Sequence, residues 1–233
     1  MQKLSRRMET VAGLCKAGRC VADVGCDHGY VSIWLMQNGR FEKAVAMDVR
    51  KGPLSAAREH IAAAGLSDRI ECRLSDGCEA LTEGEADALI LAGMGGALTI
   101  SILKAGADKV GKMRQLVLQP QSEIAEVRRY LALAGFFIEA EEMLEEDGKY
   151  YSAFRAVPGA GDEDRDELFF YYGKALLEAR HPVLKRFLER EQRLDRELLS
   201  RLSTAEGERA EERYREVEKD LSRVEKALVY YSS

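Results

Sequence analysis

The sequence predicts an α/β fold: a mainly parallel sheet with an antiparallel C-terminal hairpin, followed by a helical coiled-coil hairpin. Three observations predict it. Short apolar segments alternate five times with segments of helical periodicity, which is typical of a parallel sheet with helices on both faces. Two further β-like segments flank Asp147-Gly148, a dipeptide that favours a tight hairpin turn. After residue 158 the apolar residues recur at helical spacing.

The predicted strands are short apolar runs that end near glycine, proline or aspartate. The segment 86–91 is apolar at nearly every position, as expected for a strand that is buried on both faces. The segments 137–144 and 150–157 surround the Asp-Gly turn and add an antiparallel edge to the sheet. The remaining predicted strands cover residues 20–24, 43–49, 70–74 and 115–118.

Helix start and stop signals separate these strands. Ser5 is predicted to cap the first helix, in which Met8, Val11, Ala12 and Cys15 recur at helical spacing. Proline is tolerated in a first helical turn, and glycine commonly follows a helix C-terminus. On these signals the further helices cover residues 30–37, the stretch from Pro53 to Gly65, the stretch from Gly96 to about Lys104, and residues 123–134 before Gly135.

A change in sequence character at residues 158–162 predicts the boundary between two domains, 1–157 and 158–233. The second domain has two apolar stripes, and Ser203-Thr204 and Gly207 predict a turn between two antiparallel helices. The later stripe has spacings of 3, 4, 3 and 4 residues, which is a two-heptad seam. The stripes are Leu184, Phe187, Leu188, Leu194, Leu198 and Leu202, and then Tyr214, Val217, Leu221, Val224 and Leu228.

Length and composition limit the class of protein. The 233 residues suffice for one α/β domain and a smaller helical one. No apolar run reaches the roughly 20 residues of a membrane-spanning helix. The five cysteines form no C-x-x-C pair and the three histidines are scattered, so we expect free thiols and no metal. The net charge of −5 disfavours a general RNA-binding protein but permits a local basic face on an enzyme. We expect a soluble, unprocessed, cytoplasmic monomer that does not contact membranes.

Residues suited to ligand binding follow the first four predicted strands, at the sheet edge where open α/β sheets bind ligands. Acids follow the first three strands, and the small residues 92–96 follow the fourth. Asp48 is placed to bind ribose hydroxyls, and Asp76 can accept a hydrogen bond from an adenine amino group. Acids after three successive strands disfavour a pyrophosphate and favour a cationic sulfonium ligand that carries an amino group. The spacing from Gly25 to Gly29 also differs from the nicotinamide fingerprint. The residues predicted to bind the cofactor are Asp23, Gly25, Cys26, Asp27, His28, Asp48, Val49, Asp76, Gly77, Ala92, Gly93 and Met94.

These segments resemble the bacterial tRNA adenine-N1 methyltransferase family, which modifies the adenine at position 22 of tRNA. The resemblance extends over nearly the whole chain and is strongest at residues 22–30 and 92–96. There the strings D-x-G-x-D-H-x-Y and A-G-M-G-G are together quite specific. The resemblance also includes residues 4–8, 51–53, 74–77, 118–120, 144–149 and 181–183.

The resemblance implies S-adenosylmethionine as methyl donor and tRNA as substrate. It also implies a Rossmann-like class I methyltransferase sheet and a C-terminal helical domain that helps to hold tRNA. The family often carries Asn where this chain has Arg50. A role of that Asn in positioning the adenine would not carry over to this chain.

The chemistry of adenine N1 suggests roles for the loop after the first strand. N1 has an in-plane lone pair, so it can attack a methyl group without first losing a proton; the enzyme must orient it and tolerate the positive charge that develops. The stretch 92–95 is neither the Asn/Asp-Pro-Pro-aromatic element of exocyclic-amine methyltransferases nor a Pro-Cys element. We assign catalysis to Asp27 as a stabiliser of the developing cation, to His28 as a hydrogen-bonding partner of the base, and to Tyr30 as a stacking surface for a flipped base.

Other residues receive predictions that the fold can test. His60 is expected to be a surface residue of its helix, and Cys26 a small neighbour of the cofactor rather than a nucleophile. The residues predicted to contact the substrate are Arg6, Arg7, Gly95, Gln119, Pro120, Lys185 and Arg186.

Three alternative functions stay open at this point. The first is a methyltransferase for another RNA or for a small molecule, although a small-molecule enzyme has no obvious need for a charged helical hairpin. The second is a nicotinamide-dependent oxidoreductase, which the glycine spacing disfavours. The third is a non-enzymatic RNA- or protein-binding scaffold with a relic cofactor domain, which the intact cofactor residues disfavour.

Overall fold

A computed structural model describes residues 4–161, 166–204 and 206–232. The chain divides into two compact units, Met1–Asp164 and Arg165–Ser233. The domain boundary predicted from the sequence, after residue 157, falls near the end of the last strand of the first unit. The acidic end of the boundary segment, residues 162–165, lies outside the described residues.

The first unit is built on a seven-stranded sheet with strand order β3-β2-β1-β4-β5-β7-β6. The first five strands are parallel to one another, whereas β7 is antiparallel to both β5 and β6. The mainly parallel sheet with one antiparallel hairpin is thus confirmed. The strands are β1 (Gly18–Val24), β2 (Phe41–Asp48), β3 (Ile70–Leu74), β4 (Ala88–Met94), β5 (Gln115–Pro120), β6 (Phe136–Glu146) and β7 (Lys149–Pro158).

Helices follow β1, β2, β4 and β5 and cover the two faces of the sheet, whereas β3 leads to β4 without an intervening helix. The predicted cap of α1 is confirmed, since the Ser5 hydroxyl accepts a hydrogen bond from the amide of Met8 at 3.3 Å. The short helix α5 was not predicted, because four residues are too few to show helical periodicity. The helices of this unit are α1 (Arg6–Leu14), α2 (Tyr30–Gln37), α3 (Lys51–Ala63), α4 (Gly96–Ala105), α5 (Ala107–Val110) and α6 (Ile124–Leu133).

The central strands supply the core on both sides of the sheet. On β4, Ile90 packs into the cluster that includes α1, α2 and α3, whereas Leu89 and Leu91 pack into the cluster that includes α4 and α6. Because successive side chains of a strand point to opposite faces, a strand covered by helices on both sides must be apolar at successive positions. This explains why the apolar run of β4 was recognisable in the sequence.

β4 extends further than predicted. Its pairing with β5 continues to Met94, with a register shift between Ala92 and Met94. Gly93 lies at this irregularity with a φ of +78°, which a residue with a side chain rarely adopts. Its amide donates to Oε1 of Gln119 at 3.2 Å. In the sequence Gly93 resembles a residue that ends a strand. In the structure it forms a β-bulge that redirects the end of β4.

A buried ion pair joins α6 to the antiparallel edge of the sheet. Nε and one terminal nitrogen of Arg128 donate to Oε1 of Glu141 at 3.0 and 2.8 Å, and both side chains are almost completely buried. The Arg128 guanidinium also lies 5.2 Å from the centre of the Phe154 ring. Burying two charges is favourable only while each satisfies the other.

The second unit is helical and is formed by α7 (Glu167–Tyr172), α8 (Lys174–Glu178), α9 (Pro182–Leu202) and α10 (Glu208–Leu228). The two long helices pack side by side as an antiparallel pair. Arg196 of α9 pairs with Glu225 of α10 at 2.7 Å, and the Tyr231 hydroxyl donates to the backbone oxygen of His181 at 3.2 Å. The turn region predicted at Ser203-Thr204 and Gly207 lies between them.

One residue of the predicted α9 stripe was wrong. Leu194 is 40% exposed, and the half-buried positions at this level are Glu191 and Asp195. Together with Leu184, Leu188, Leu198 and Leu202, these acids continue a spacing of 4, 3, 4, 3 and 4 residues. Burial raises the pKa of both carboxyl groups. Leu194 was assigned to the buried stripe because it is hydrophobic. In the structure, the acids Glu191 and Asp195 occupy that part of the stripe instead.

Candidate active site

A cleft opens at the carboxyl ends of the parallel strands. β2 and β4 lie on opposite sides of β1, so the direction in which strands are added reverses there, and this is where open α/β sheets bind ligands. The cleft has a volume of about 510 Å³. It is lined by all twelve residues predicted to bind the cofactor, and also by Tyr30 and Arg7.

The loop after β1 is held close to the ends of β2 and β4. The amides of Gly25 and Cys26 both donate to the backbone oxygen of Met47, at 2.8 and 2.9 Å. Gly25 has a φ of +74°, and a Cβ at this position would lie 2.2 Å from Cε of Met94. The backbone conformation therefore favours glycine, and a side chain at this position would also require the end of Met94 to move.

Two groups on the floor of the cleft are largely shielded from water. The Ser32 hydroxyl donates to Oδ2 of Asp23 at 2.7 Å. Burial raises the pKa of Asp23 from 3.8 to about 6, and the hydrogen bonds from Ser32 oppose this rise. Burial likewise raises the pKa of the Cys26 thiol far above its ordinary value. A protonated thiol is a weak nucleophile, which agrees with a packing role for Cys26.

Asp48 organises the opposite wall. Its Oδ1 accepts from the amide of Arg50 at 2.8 Å, and its Oδ2 accepts from the amide of Asp27 at 3.4 Å. The Arg50 guanidinium lies 3.6 Å from Oδ1 of Asp48 and 3.9 Å from Oδ1 of Asp27. Arg50 thus bridges the acids that follow β1 and β2. Asp76 and Gly77 line the cleft at the end of β3, where Asp76 is exposed.

Asp27 and His28 are adjacent exposed polar side chains that line the cleft. Oδ2 of Asp27 lies 3.6 Å from Nε2 of His28, and the two side chains are 58% and 47% exposed. Asp27 has a φ of +49°, which Asp and Asn tolerate better than other residues with a side chain. These groups are accessible to a ligand without any rearrangement of the core.

His60 contacts this site through Tyr30, which sequence reasoning did not predict. It lies at the surface of its helix as expected, but the half-buried imidazole stacks on Tyr30 with ring centres 4.7 Å apart and planes inclined by 23°. The Tyr30 hydroxyl and Nε2 of His60 are 3.2 Å apart. Nδ1 of His60 lies 3.1 Å from the backbone oxygen of His28. One face of the Tyr30 ring is therefore covered by His60.

Comparisons with known proteins agree with this geometry. A family profile described as "Methyltransferase domain" matches residues 4–154. A relative from Bacillus subtilis, named tRNA (adenine(22)-N(1))-methyltransferase, is 40% identical over 162 residues, which are 70% of this chain and 67% of the relative. The chain belongs to this methyltransferase family. The resemblance seen in the sequence is thereby confirmed.

Solved structures of similar proteins match this methyltransferase over nearly its whole length. The Bacillus subtilis m1A22 tRNA methyltransferase TrmK is 31% identical, with a TM-score of 0.87 over 97% of this chain and 99% of that one. An uncharacterised protein from Listeria monocytogenes is 27% identical, with a TM-score of 0.92 over 97% and 100%. Streptococcus pneumoniae Sp1610, solved in complex with S-adenosyl-L-methionine, is 30% identical, with a TM-score of 0.85 over 97% and 100%.

The residues of the methyltransferase that were predicted to contact substrate lie in different parts of the structure. Arg7 lines the cleft, and its guanidinium lies 5.0 Å from the centre of the Tyr151 ring. Arg6 is exposed but is not part of the cleft lining, and Gly95 serves as the N-cap of α4. Lys185 and Arg186 lie on α9 of the second unit, where both are exposed.

Gln119 and Pro120 are not part of the cleft lining, and their contacts with substrate stay a prediction. Gln119 is 0% exposed, and Pro120 is also buried, at the end of β5. The Gln119 side chain accepts a hydrogen bond from the amide of Gly93, and it thereby supports the backbone that lines the cleft. Gln121, one residue beyond β5, lines the cleft instead. The sequence predicted that this strand ends at residue 118, whereas β5 continues to Pro120, so both residues belong to the buried strand.

The described parts of the methyltransferase show no metal centre. No group of three or more His, Cys, Asp and Glu side chains among them is arranged to hold a metal ion. All five cysteines are free thiols. None of the described helices is both long enough and apolar enough to cross a membrane.

Proposed function

We propose that this methyltransferase transfers the methyl group of S-adenosylmethionine to N1 of adenine 22 in tRNA, acting as a cytoplasmic monomer. The observation that carries the proposal is the convergence of the residues after β1, β2, β3 and β4 on one cleft. The 40% identity to a tRNA (adenine(22)-N(1))-methyltransferase supports the choice of substrate.

The residues present fit a sulfonium cofactor with a ribose and an adenine. Asp48 is buried at the end of β2 and holds both neighbouring loops, so a ribose bound there would meet a fixed carboxylate. Asp76 presents a carboxylate at the end of β3, where it can accept from an adenine amino group. Asp27 and Asp48 add negative charge, which favours a cation over a pyrophosphate. Because Gly25 has no Cβ, the end of the Met94 side chain can pack directly against the loop at this point.

When bound, S-adenosylmethionine supplies a methyl group on a positively charged sulfur. The protein has to place adenine N1 in line with that methyl group and to stabilise the positive charge that appears on the ring. Asp27 offers a carboxylate for this charge, and its pairing with Arg50 limits how far it can move. His28 lies beside Asp27 and can hydrogen-bond the edge of the base. No residue has to remove a proton before N1 reacts.

Nucleoside mass spectrometry tests the proposal directly. Wild-type protein is incubated with unmodified tRNA and isotopically labelled methyl donor, and we expect label in 1-methyladenosine. A tRNA in which adenine 22 is replaced by uracil is the control and should remain unlabelled. Label in another base, or equal labelling of the control tRNA, would contradict the proposed target. Equal labelling of an unrelated RNA would favour the broader alternative of a methyltransferase for other RNA.

We propose that the C-terminal unit, predicted from the sequence as residues 158–233, contributes to tRNA binding. Arg186, Arg190 and Arg193 are exposed and recur at spacings of 4 and 3 residues, which places them on one face of α9 beside Lys185. Since phosphate contacts release counterions, a basic face of this kind gives salt-dependent binding. The proposal explains how a chain of net charge −5 can bind a polyanion.

Replacing Lys185 and Arg186 together with glutamine tests this role. We expect weaker tRNA binding, with the slope of log K against log salt reduced by about 1 for each phosphate contact removed. Binding is measured by filter retention at several salt concentrations. The matched control replaces Arg209 and Arg215 of α10 with glutamine, which changes the net charge equally. Equal weakening by both double variants would refute a specific role for this face of α9.

A further inference from the structure

The segment that follows β5 is fastened to the loop between β4 and α4. The amide of Gln121 donates to the backbone oxygen of Met94 at 2.8 Å. One residue further along, the Ser122 hydroxyl accepts from the amide of Gly96 at 3.1 Å. These hydrogen bonds hold the backbone of Gln121 beside the end of β4.

Glycine at the start of α4 permits this close contact. A Cβ on Gly96 would lie 2.5 Å from the backbone oxygen of Ser122, and a Cβ on Gly95 would lie 3.2 Å from the Ser122 hydroxyl. Oε2 of Glu123 adds a third hydrogen bond by accepting from the amide of Ala97 at 2.8 Å. The small residues before α4 thus give the segment 121–123 a fixed place against the loop.

Gln121 presents its side chain from this fixed backbone to the cleft. The side chain is exposed and lines the cleft, and a Cβ on Gly93 would lie 3.8 Å from its Nε2. Among the described residues, none forms a hydrogen bond with the side-chain amide of Gln121. One hydrogen-bond donor and one acceptor are therefore offered to a ligand next to the end of β4.

We infer that Gln121 recognises the target adenine along the edge formed by its amino group and N7, and so leaves N1 free to face the methyl donor. The inference rests on the proposed function. A glutamine amide pairs with adenine through both of its polar atoms, accepting from the amino group and donating to N7. Guanine presents an acceptor at both positions, so it would set an oxygen against Oε1 of Gln121. N1 lies on the other side of the amino group, and the contact does not cover it.

Leu98 gives the same part of the cleft an apolar surface. It belongs to α4, lines the cleft and is 53% exposed. Enzymes that act on an extruded base hold its faces between aromatic or apolar side chains and read its edge with hydrogen bonds. Leu98 and Gln121 supply one group of each kind.

The test compares three tRNAs that differ at position 22. The first carries adenosine, the second carries purine riboside, which lacks the amino group, and the third carries 7-deazaadenosine, which has a C–H group in place of N7. For each protein, kcat/KM for adenosine is divided by kcat/KM for each analogue. Differences in the intrinsic reactivity of N1 are common to every protein, so they cancel when a variant is compared with wild type.

Gln121→Ala is expected to lower both ratios by about tenfold relative to wild type, the approximate effect of one lost hydrogen bond in a site that excludes water. Gln121→Glu should lower only the ratio for 7-deazaadenosine, because a carboxylate can accept from the amino group but cannot donate to N7. Gln37→Ala replaces an exposed glutamine at the end of α2, outside the cleft lining, and should leave both ratios at the wild-type values.

The outcomes separate this inference from the function on which it rests. If Gln121→Ala slows all three tRNAs equally, Gln121 does not read the base and the inference is overturned. Isothermal titration of Gln121→Ala with S-adenosylmethionine should give wild-type affinity, and a loss of affinity would instead assign Gln121 to the cofactor. If wild-type protein does not methylate the tRNA that carries adenosine, the proposed function itself fails. Lowered ratios in Gln121→Ala, with the selective loss in Gln121→Glu, support the assignment.

Discussion

Asp27→Asn is expected to lower kcat for methyl transfer by about 10²–10³-fold, the usual cost of removing one preorganised electrostatic contact to a developing charge. The Asp27 carboxylate is exposed in the cleft and lies between Arg50 and His28. Asparagine retains the size of the side chain and tolerates the φ of +49° at this position. The loop should therefore keep its conformation while losing its negative charge.

Single-turnover kinetics at saturating donor and tRNA measure this effect, and thermal unfolding checks that the fold is retained. Asp147→Asn is a matched control, because Asp147 also has a positive φ, of +51°, but lies in the turn between β6 and β7. We expect wild-type turnover and an unchanged melting temperature for this control. If Asp27→Asn retained kcat within about threefold of wild type, cation stabilisation by Asp27 would have to be abandoned.

The strands of the sheet were predictable because each one leaves a local pattern in the sequence. Strands such as β4 are apolar at successive positions, and the Asp147-Gly148 turn is a short-range hairpin signal. What the patterns do not contain is irregularity. Gly93 is both a common loop residue and the residue that a bulge requires, so the end of β4 was placed too early. In the second unit, the buried stripe of α9 was misassigned because two of its positions carry the half-buried acids Glu191 and Asp195 instead of apolar residues.

The candidate cleft was predictable where its residues come directly after strands. Asp48 and Asp76 follow β2 and β3, and parallel strands bring their carboxyl ends to one edge of the sheet. His60 follows no strand and lies 30 residues from Tyr30 in the sequence. It joins the site through the packing of α3 against the loop, which depends on Gly29. The sequence around His60 contains no pattern that would predict its contact with Tyr30.

Arg128→Met is expected to lower the free energy of unfolding by about 3–5 kcal/mol, because it leaves the Glu141 carboxylate buried without its cation. Oε1 of Glu141 accepts both hydrogen bonds from Arg128, and Oε2 is buried with no hydrogen-bond partner among the described residues. The carboxylate thus depends on this one guanidinium for its compensation. Methionine fills a similar volume, so the change removes charge and hydrogen bonds rather than packing.

Urea unfolding of Arg128→Met and Arg129→Met compares two adjacent arginines of α6. Arg129 pairs with Glu126 on the same helix at 2.6 Å, but that pair is partly exposed. Exposed pairs of this kind contribute about 0–1 kcal/mol, so Arg129→Met should have little effect. Replacing Glu141 with leucine in the Arg128→Met background should recover much of the loss, since an apolar pair needs no compensation. Equal destabilisation by the two single variants would mean that the buried pair contributes no more than the exposed one.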